Sequence, residues 1–569
     1  MFKPVLKFSL TSLAVMFLLG CNITATKQAA PQFNVSVKLD KNTINEAIDG
    51  RMFLLVHTND DKSPREVASM LFAASAENPK WGRYSPLFGS DVDDLQPGSN
   101  ELISNDKIQG YPFNNFSEVP AGDYYIQAVF NRYTTVTRDD GHTIKVAMDH
   151  WDGQQFHISP GNLYSEVKKV HIDPAKGFDI NLTLSEIIPP IELAPDTKFV
   201  KRLKFKSKLV SDFWNYDMYV GATVRLPKSY YENPDKKYPV LYWQGHFQEK
   251  DRAVIPEQRP TESGPQQIAY DAWAADDAAQ MIVVTFQHPT PFYDDSYAVN
   301  SANNGPYGDA MLQEMIPAVE DSFRIIKQPW ARVLTGGSTG GWISAALQIY
   351  HPKFFGGTWS FCPDSLDFSR YQLINLYEDD NAFYVPSQEW VKTPQFMSRS
   401  VEGNPLNTVQ RASQLGRALG NNQRSAEIAD TWNGVYSPAG SDGYPMPVWD
   451  HNTGEINKEV VAYWRDNGFD LNHYLQKNWD EIGSDLQGKL HFACGDMDQF
   501  YLNLAMYKME TFLESTESPP YEGWFKFYPR KGHSLVGYQN TLKDLMQEML
   551  VHIKKNAPQG TNTTHWNLP

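Results

Sequence analysis

The stretch from Ala331 to Ile343 constrains this chain more than any other. Val333-Leu334 reads as a short buried strand. It runs into Gly336-Gly337-Ser338-Thr339-Gly340, and a helical pattern from Trp342 to Tyr350 follows at once, stopped by Pro352. The order is strand, sharp turn, helix, with Gly-x-Ser-x-Gly at the turn. A serine on so tight a turn has an unfavourable backbone conformation, and its neighbours two places either side must be small. Such a turn holds Oγ clear of the sheet, with the helix N-terminus and the next backbone N–H ready for developing negative charge. The bland alternative is a glycine-rich turn carrying a solvated serine. The strand before and the helix after favour a nucleophile at Ser338, an oxyanion donor at Thr339, and Trp342 among the residues touching substrate.

Around this turn, continuous apolar strands alternate with amphipathic helices. Strand candidates are 223–226, 239–243, 281–286, 357–361, 489–494 and 524–528. A helix over 309–323 places Leu312, Met315, Ile316, Val319 and Phe323 on one face, with Pro317 expected to kink it. A last helix runs from about 536 to 555. The pattern predicts a parallel sheet covered on both faces. A serine nucleophile needs a base, and the base an orienting carboxylate, in the chain order serine, acid, histidine for this arrangement. Gly495-Asp-Met-Asp498 follows one late strand, and Pro529-Arg-Lys-Gly-His533 follows the last. His533 is therefore the candidate base and Asp498 the candidate acid, with Asp496 as the alternative acid or else a turn cap. The second oxyanion donor should come from Gln244-Gly245-His246, after the strand at 239–243: an N–H of Gly245 or His246, with Gln244 beside the substrate. His246 as a second base is the lesser alternative to a wall of the site. The polar segment Asp294–Asn303 leaves another strand near the same edge, with Asn300 as a substrate contact.

Residues 33–195 read differently. Strict alternation at 33–39 and 178–184, a buried run at 52–56 and an alternating stretch at 124–133 indicate an all-β, sandwich-like domain. Asp91-Val-Asp93-Asp94 reads as a solvated acidic loop, because the glycine and final glutamate of a calcium loop are missing. His150 and His157 read as surface residues. The proline-rich segment 188–195 is a stiff linker.

At the other extreme of the chain, Lys3 and Lys7 precede an apolar stretch from Phe8 to Leu19, and Leu18-Leu19-Gly20-Cys21 follows. The first 20 residues read as an export signal. Their ending resembles a bacterial lipoprotein cleavage box, which implies lipidation of Cys21, a polar tether over 21–32 and an outer-membrane destination in the cell envelope; ordinary secretory cleavage would keep export and lose the anchor. With 569 residues the chain can bury large cores without staples. Cys362 and Cys494 either bridge or remain two buried thiols. A net charge of −16 argues against nucleic acid or anionic lipid as a natural partner.

The residues Tyr238–His246, Gly308–Glu320, the glycine-flanked Ser338 and Phe354-Phe-Gly-Gly together resemble the esterase-D-like esterases, a group that includes feruloyl, acetylxylan and enterobactin-type siderophore esterases. The resemblance covers roughly 215–365 and 487–555. It implies an α/β-hydrolase domain over 196–558, followed by a tail at 559–569, and hydrolysis of a carboxylic ester through an acyl-enzyme. It also implies no metal or organic cofactor. The substrate would be a small-molecule or carbohydrate ester, with membrane contact only through the lipid. Two departures stand out: the order Gly245-His246 after the third core strand, and an insertion of about 120 residues at 366–487. The insertion begins and ends at the catalytic edge, so it is expected to form a cap. It is rich in aromatic residues that either stack on substrate or fill its own core. Helices are expected in it over 410–430 and 459–477. An acyltransferase of the same fold, or an inactive binding lipoprotein, are the competing functions.

Overall fold

Eight strands between Val200 and Tyr528 form the sheet on which the site is built: β1 (Val200–Lys206), β2 (Tyr219–Arg225), β3 (Val240–Gln244), β4 (Ile282–Gln287), β5 (Arg332–Gly337), β6 (Gly357–Phe361), β7 (Leu490–Gly495) and β8 (Trp524–Tyr528). They lie side by side in the order β1-β2-β4-β3-β5-β6-β7-β8. The first two pairings are antiparallel, and every pairing from β4 to β8 is parallel. The central strands are buried over almost their whole length, as strands covered on both faces must be; Val333, Leu334 and Leu490 have no accessible surface. In the computed structural model, residues 31–67, 86–246, 254–387, 389–533 and 541–566 are described. The export-signal reading, Cys21 and most of the tether lie outside them, as do the first residues of the expected last helix.

Six helices matter below: α1 (Thr339–Tyr350), α2 (Val409–Leu419), α3 (Ile428–Tyr436), α4 (Lys458–Asp466), α5 (Leu471–Leu486) and α6 (Leu542–Asn556). Helix α6 starts with a capping box between Thr541 and Asp544 and buries Leu545, Met549 and Ile553. The helix expected over 309–323 is present from 307 to 322, but its second turn, Met311–Met315, is a π-turn. Pro317 lies just beyond it. A proline lacks an N–H and crowds the carbonyl four residues back, and the wider π-turn absorbs both.

Two helices expected as single units are each divided. The one expected over 410–430 splits into α2 and α3. Between them Gly420 turns the chain so sharply that a Cβ there would lie 2.4 Å from the Arg424 carbonyl carbon, and Asn422, Gln423 and Ala426 adopt left-handed conformations. The one expected over 459–477 splits into α4 and α5. Gly468 takes a φ of +87° after α4, and Asp470 caps α5 by accepting from the His473 N–H at 2.8 Å.

Ten strands within 32–187 form a second sheet. It curls far enough for its ends to share a core: Val35 and Val37 from the strand Gln32–Leu39 pack in one cluster with Leu54 and Phe88. The acidic run at 91–94, expected as a loop, lies in the strand Leu87–Leu95; Asp91 pairs with Arg51 and Arg424, and Asp93 with Lys145. His157, expected at the surface, is half-buried, and its desolvation lowers its pKa to about 4. The segment 188–195, expected as a linker, carries no regular structure.

His491 gives a pH test of the core. It stacks on Trp359 at 4.4 Å between ring centroids, its Nδ1 is 3.0 Å from the Thr358 carbonyl, and burial, reinforced by His552 and Lys526, lowers its pKa to about 3. A histidine with a depressed folded pKa stabilises fully above its unfolded value near 6.5 and loses that contribution as pH falls toward the folded value. The stability difference between wild type and His491→Gln should therefore shrink from pH 7 to pH 4, read as converging Tm values.

Candidate active site

The carboxyl ends of the parallel strands bring the site together, as topology requires of loops that leave the same edge. At the end of β5, Ser338 has φ 57° and ψ −126°, a combination that side-chain-bearing residues rarely adopt. Its N–H donates to the Phe361 carbonyl at 2.9 Å, and its own carbonyl accepts from Asp364 and from Trp342 in the first turn of α1. The two flanking glycines are forced by backbone contact. A Cβ on Gly336 would lie 2.2 Å from the Gly340 carbonyl oxygen, and one on Gly340 would lie 2.2 Å from that of Gln244. The same contact lays the Gln244-Gly245 backbone against the start of α1, next to Thr339.

At the end of β7, Asp498 is wholly buried. Its Oδ1 accepts from the N–H groups of Phe500 and Leu502 at 2.8 and 3.1 Å, and its Oδ2 is 2.6 Å from His533 Nδ1. Asp496 faces elsewhere: its Oδ1 accepts from the Arg530 N–H at 2.7 Å. The acid turn and the histidine loop meet backbone to backbone, since a Cβ on Gly495 would lie 2.1 Å from the Lys531 carbonyl oxygen. Gln499, which sequence reasoning missed, accepts from the His533 N–H. Arg399, from the insertion strand Phe396–Arg399, was also missed. It donates to the carbonyls of Asp498 and Asp496 at 2.9 and 3.0 Å.

The disulfide left open by the sequence is present between Cys362 and Cys494, with Cα atoms 4.7 Å apart. It joins the end of β6, beside Ser338, to the end of β7, before the acid turn. One ligand-type atom from each of Cys362, Asp498 and His533 lies within 4.8 Å of the others, so the bridge sits against the histidine–carboxylate pair.

His246 lies at the end of β3, its side chain 28% exposed. Its Nδ1 is 3.3 Å from Asp294 and 3.4 Å from Asp295, and the Tyr293 hydroxyl is 3.2 Å away. Burial works against the imidazolium, but the two aspartates outweigh it and hold the pKa well above the usual histidine value. Asp364, a further residue that no motif signalled, is 5% exposed. It accepts from Tyr297 Oη at 2.6 Å, Thr339 Oγ1 at 3.1 Å and Trp432 Nε1 at 3.4 Å. Burial raises its carboxyl above the ordinary range, against the pull of those hydrogen bonds.

Two expected substrate contacts sit differently from the rest. Trp342 has no accessible surface and packs against Tyr297 and Tyr436, so it supports the turn from behind and has no face left for a ligand. Asn300 is exposed and spends its side chain on Asp309, donating at 2.9 Å and accepting from its N–H at 3.0 Å. Gln244 is 1% exposed, and neither side-chain polar atom has a hydrogen-bond partner among the described residues.

The strand order, the strained serine after β5, and the carboxylate and histidine after β7 and β8 decide the architecture. The fold is that of an α/β-hydrolase. Residues 216–433 of it match the Esterase family model, a span from just before β2 to within α3 that takes in Ser338 but stops short of Asp498 and His533. No curated protein matches the chain. Among solved structures, this α/β-hydrolase is similar to a ferulic acid esterase, at 15% identity over 63% of this chain and 99% of the other, with a TM-score of 0.34. It is also similar to the S-formylglutathione hydrolase of Agrobacterium tumefaciens, at 12% identity over 64% and 99% of the two chains, TM-score 0.32. A third is the fluorophosphonate-binding serine hydrolase F of Staphylococcus aureus, at 14% over 62% and 98%, TM-score 0.30. Likenesses this distant say nothing about substrate.

Proposed function

We propose that this α/β-hydrolase is a serine esterase that cleaves a carboxylic ester through an acyl-enzyme on Ser338. The observation that carries the reading is the 2.6 Å contact between His533 Nδ1 and the buried Asp498 carboxylate, at the same sheet edge as the strained serine. With Nδ1 engaged on Asp498, Nε2 is the ring nitrogen that takes the Ser338 proton as Oγ attacks the ester carbonyl. The oxyanion that forms is met by the N–H of Thr339 at the start of α1 and by an N–H of Gly245 or His246 from the adjacent loop. The histidine then returns its proton to the departing alcohol, and water repeats the sequence to release the acid. No metal or organic cofactor enters these steps.

The substrate we propose is an acylated carbohydrate or similar ester. Support comes from the chain's −16 charge, which disfavours polyanions; the insertion's aromatic residues add little, since Tyr371, Trp432, Tyr436, Trp449 and Trp464 are buried in the core. The catalytic unit spans 196–558 and the β-domain 33–195. Cys21 anchors the protein by lipid in the cell envelope, at the outer membrane, and incorporation of labelled fatty acid that is lost in Cys21→Ser tests that anchor. The catalytic reading is tested with chromogenic acyl esters of increasing length and a phosphonate probe. Turnover together with stoichiometric labelling on Ser338 supports it. Absence of both across all acyl lengths would point to a binding protein. Excess alcohol acceptor that diverts most of the acyl group into a new ester would make the enzyme an acyltransferase.

A further inference from the structure

The insertion sits between two neighbours. On one side it reaches the catalytic turns. Trp432 of α3 donates to Tyr297 Oη at 2.9 Å and to Asp364, and Asp364 also holds Thr339 and, by its N–H, the Ser338 carbonyl at 3.2 Å. Arg399 holds the acid turn from the same insertion.

On its other side the insertion is seated on the N-terminal sheet. Leu415, Ala418 and Leu419 of α2 share a core with Phe53, Leu55 and Leu87 from that sheet. The last carbonyls of a helix have no partner within it and need one from outside. Here Arg51, with no side-chain exposure, supplies it: Nη2 donates to the carbonyls of Arg417 at 2.6 Å and Ala418 at 3.0 Å, and Nε to Ala418 at 3.1 Å. The Arg51 cation is balanced by Asp91 at 2.7 Å, and Asp91 also takes Arg424 at 2.9 Å and Asn421 at 3.0 Å from the link between α2 and α3. Gly89 makes the approach possible, because a Cβ there would lie 2.0 Å from the Ala418 carbonyl oxygen. A buried guanidinium, a shared carboxylate and a glycine cut to fit the helix end describe a fixed seat.

We propose that the N-terminal sheet is a working part of the active site, with Arg51 as a positioning residue that holds α2, and through it α3 and Trp432, as a fixed wall of the substrate cleft. The insertion is on this account a wedge locked between two sheets, and the cleft is shaped without a hinged cap. The catalytic half of the inference rests on the serine-esterase reading; the seating half does not.

Arg51→Met and Gly89→Ala both unseat the helix from the sheet side, and neither residue touches the catalytic groups. Three quantities decide the matter in the full chain: amide hydrogen exchange over 409–436, Ser338 titre with a phosphonate probe, and kcat and KM per titrated site for an acetate ester and for a bulky aryl ester of a sugar. Exchange over 409–424 should rise at least about tenfold. KM for the bulky ester should rise about tenfold, while kcat on the acetate ester stays within about threefold, since the serine turn is held by its own sheet. A merely structural role would lower the titre and leave both KM values alone, and that result overturns the proposal. Unchanged exchange also overturns it. If Arg51→Met fails to fold, Gly89→Ala carries the same measurements. A wild-type protein without turnover or labelling would sink the esterase reading, and the exchange result would then still decide whether the seat exists.

Discussion

Ser338→Ala should lower kcat/KM on any ester by ~10⁴–10⁶-fold, with the protein still folded and KM little changed. The loss is that large because the proposed acyl-enzyme forms on Ser338 Oγ, and alanine removes that atom. A residual rate would come from water attacking an ester that is still bound and polarised by the oxyanion donors. The backbone adds a second arm to the test. Alanine keeps the strain of φ 57° and ψ −126°, whereas glycine adopts that conformation without penalty. Ser338→Gly should therefore be equally inactive yet more stable than Ser338→Ala by about 1–2 kcal/mol, seen as a higher Tm. A glycine variant no more stable than the alanine one would mean that the turn relaxes in solution. An alanine variant that still turns over would remove Ser338 from the chemistry.

Asp498→Asn should cost ~10⁴-fold in kcat while leaving the fold intact. The asparagine carbonyl can still accept from Phe500 and Leu502, so the acid turn keeps its shape. Its amide nitrogen then faces His533 Nδ1 as a donor. The ring must present a lone pair there, which places the proton on Nε2, where Ser338 needs an acceptor. Asp496→Asn is the control. Its carboxylate caps the Arg530 N–H, and its loss should leave kcat within about threefold. Rates that fall with Asp496→Asn and survive Asp498→Asn would reverse the two assignments.

The parts of this molecule that were legible in the sequence are those where one residue type satisfies one local constraint. Gly336 and Gly340 are such residues, since each faces a carbonyl oxygen at a distance no Cβ survives. Continuous apolar strands announced the parallel sheet for the same reason, because both faces are covered. The breaks in the two insertion helices were partly written at Gly468 and Asp470, a helix stop followed by a cap. At 420–427 Gly420 is likewise a local stop, but the path of the link that follows is held by Arg424 on Asp91, and no local pattern carries a contact across 333 residues. Asp364, Arg399 and Gln499 were invisible for a related reason. Each acts on a backbone or side chain delivered by another part of the chain, and a lone aspartate, arginine or glutamine has no spacing to reveal it. Trp342 misled because an aromatic next to a nucleophile suggests a substrate contact, whereas α1 turns that ring inward.

The seat for α2 has a consequence for the newborn chain. Arg51 and the Ala418 carbonyl are separated by 367 positions, so in a chain that emerges N-terminus first the sheet side of the seat appears well before its occupant. During that interval Phe53, Leu55 and Leu87 are uncovered and a guanidinium waits for a helix end. Deleting residues 366–487 would make that interval permanent, leaving a sticky apolar face whose aggregation no improvement of the hydrolase sheet could cure.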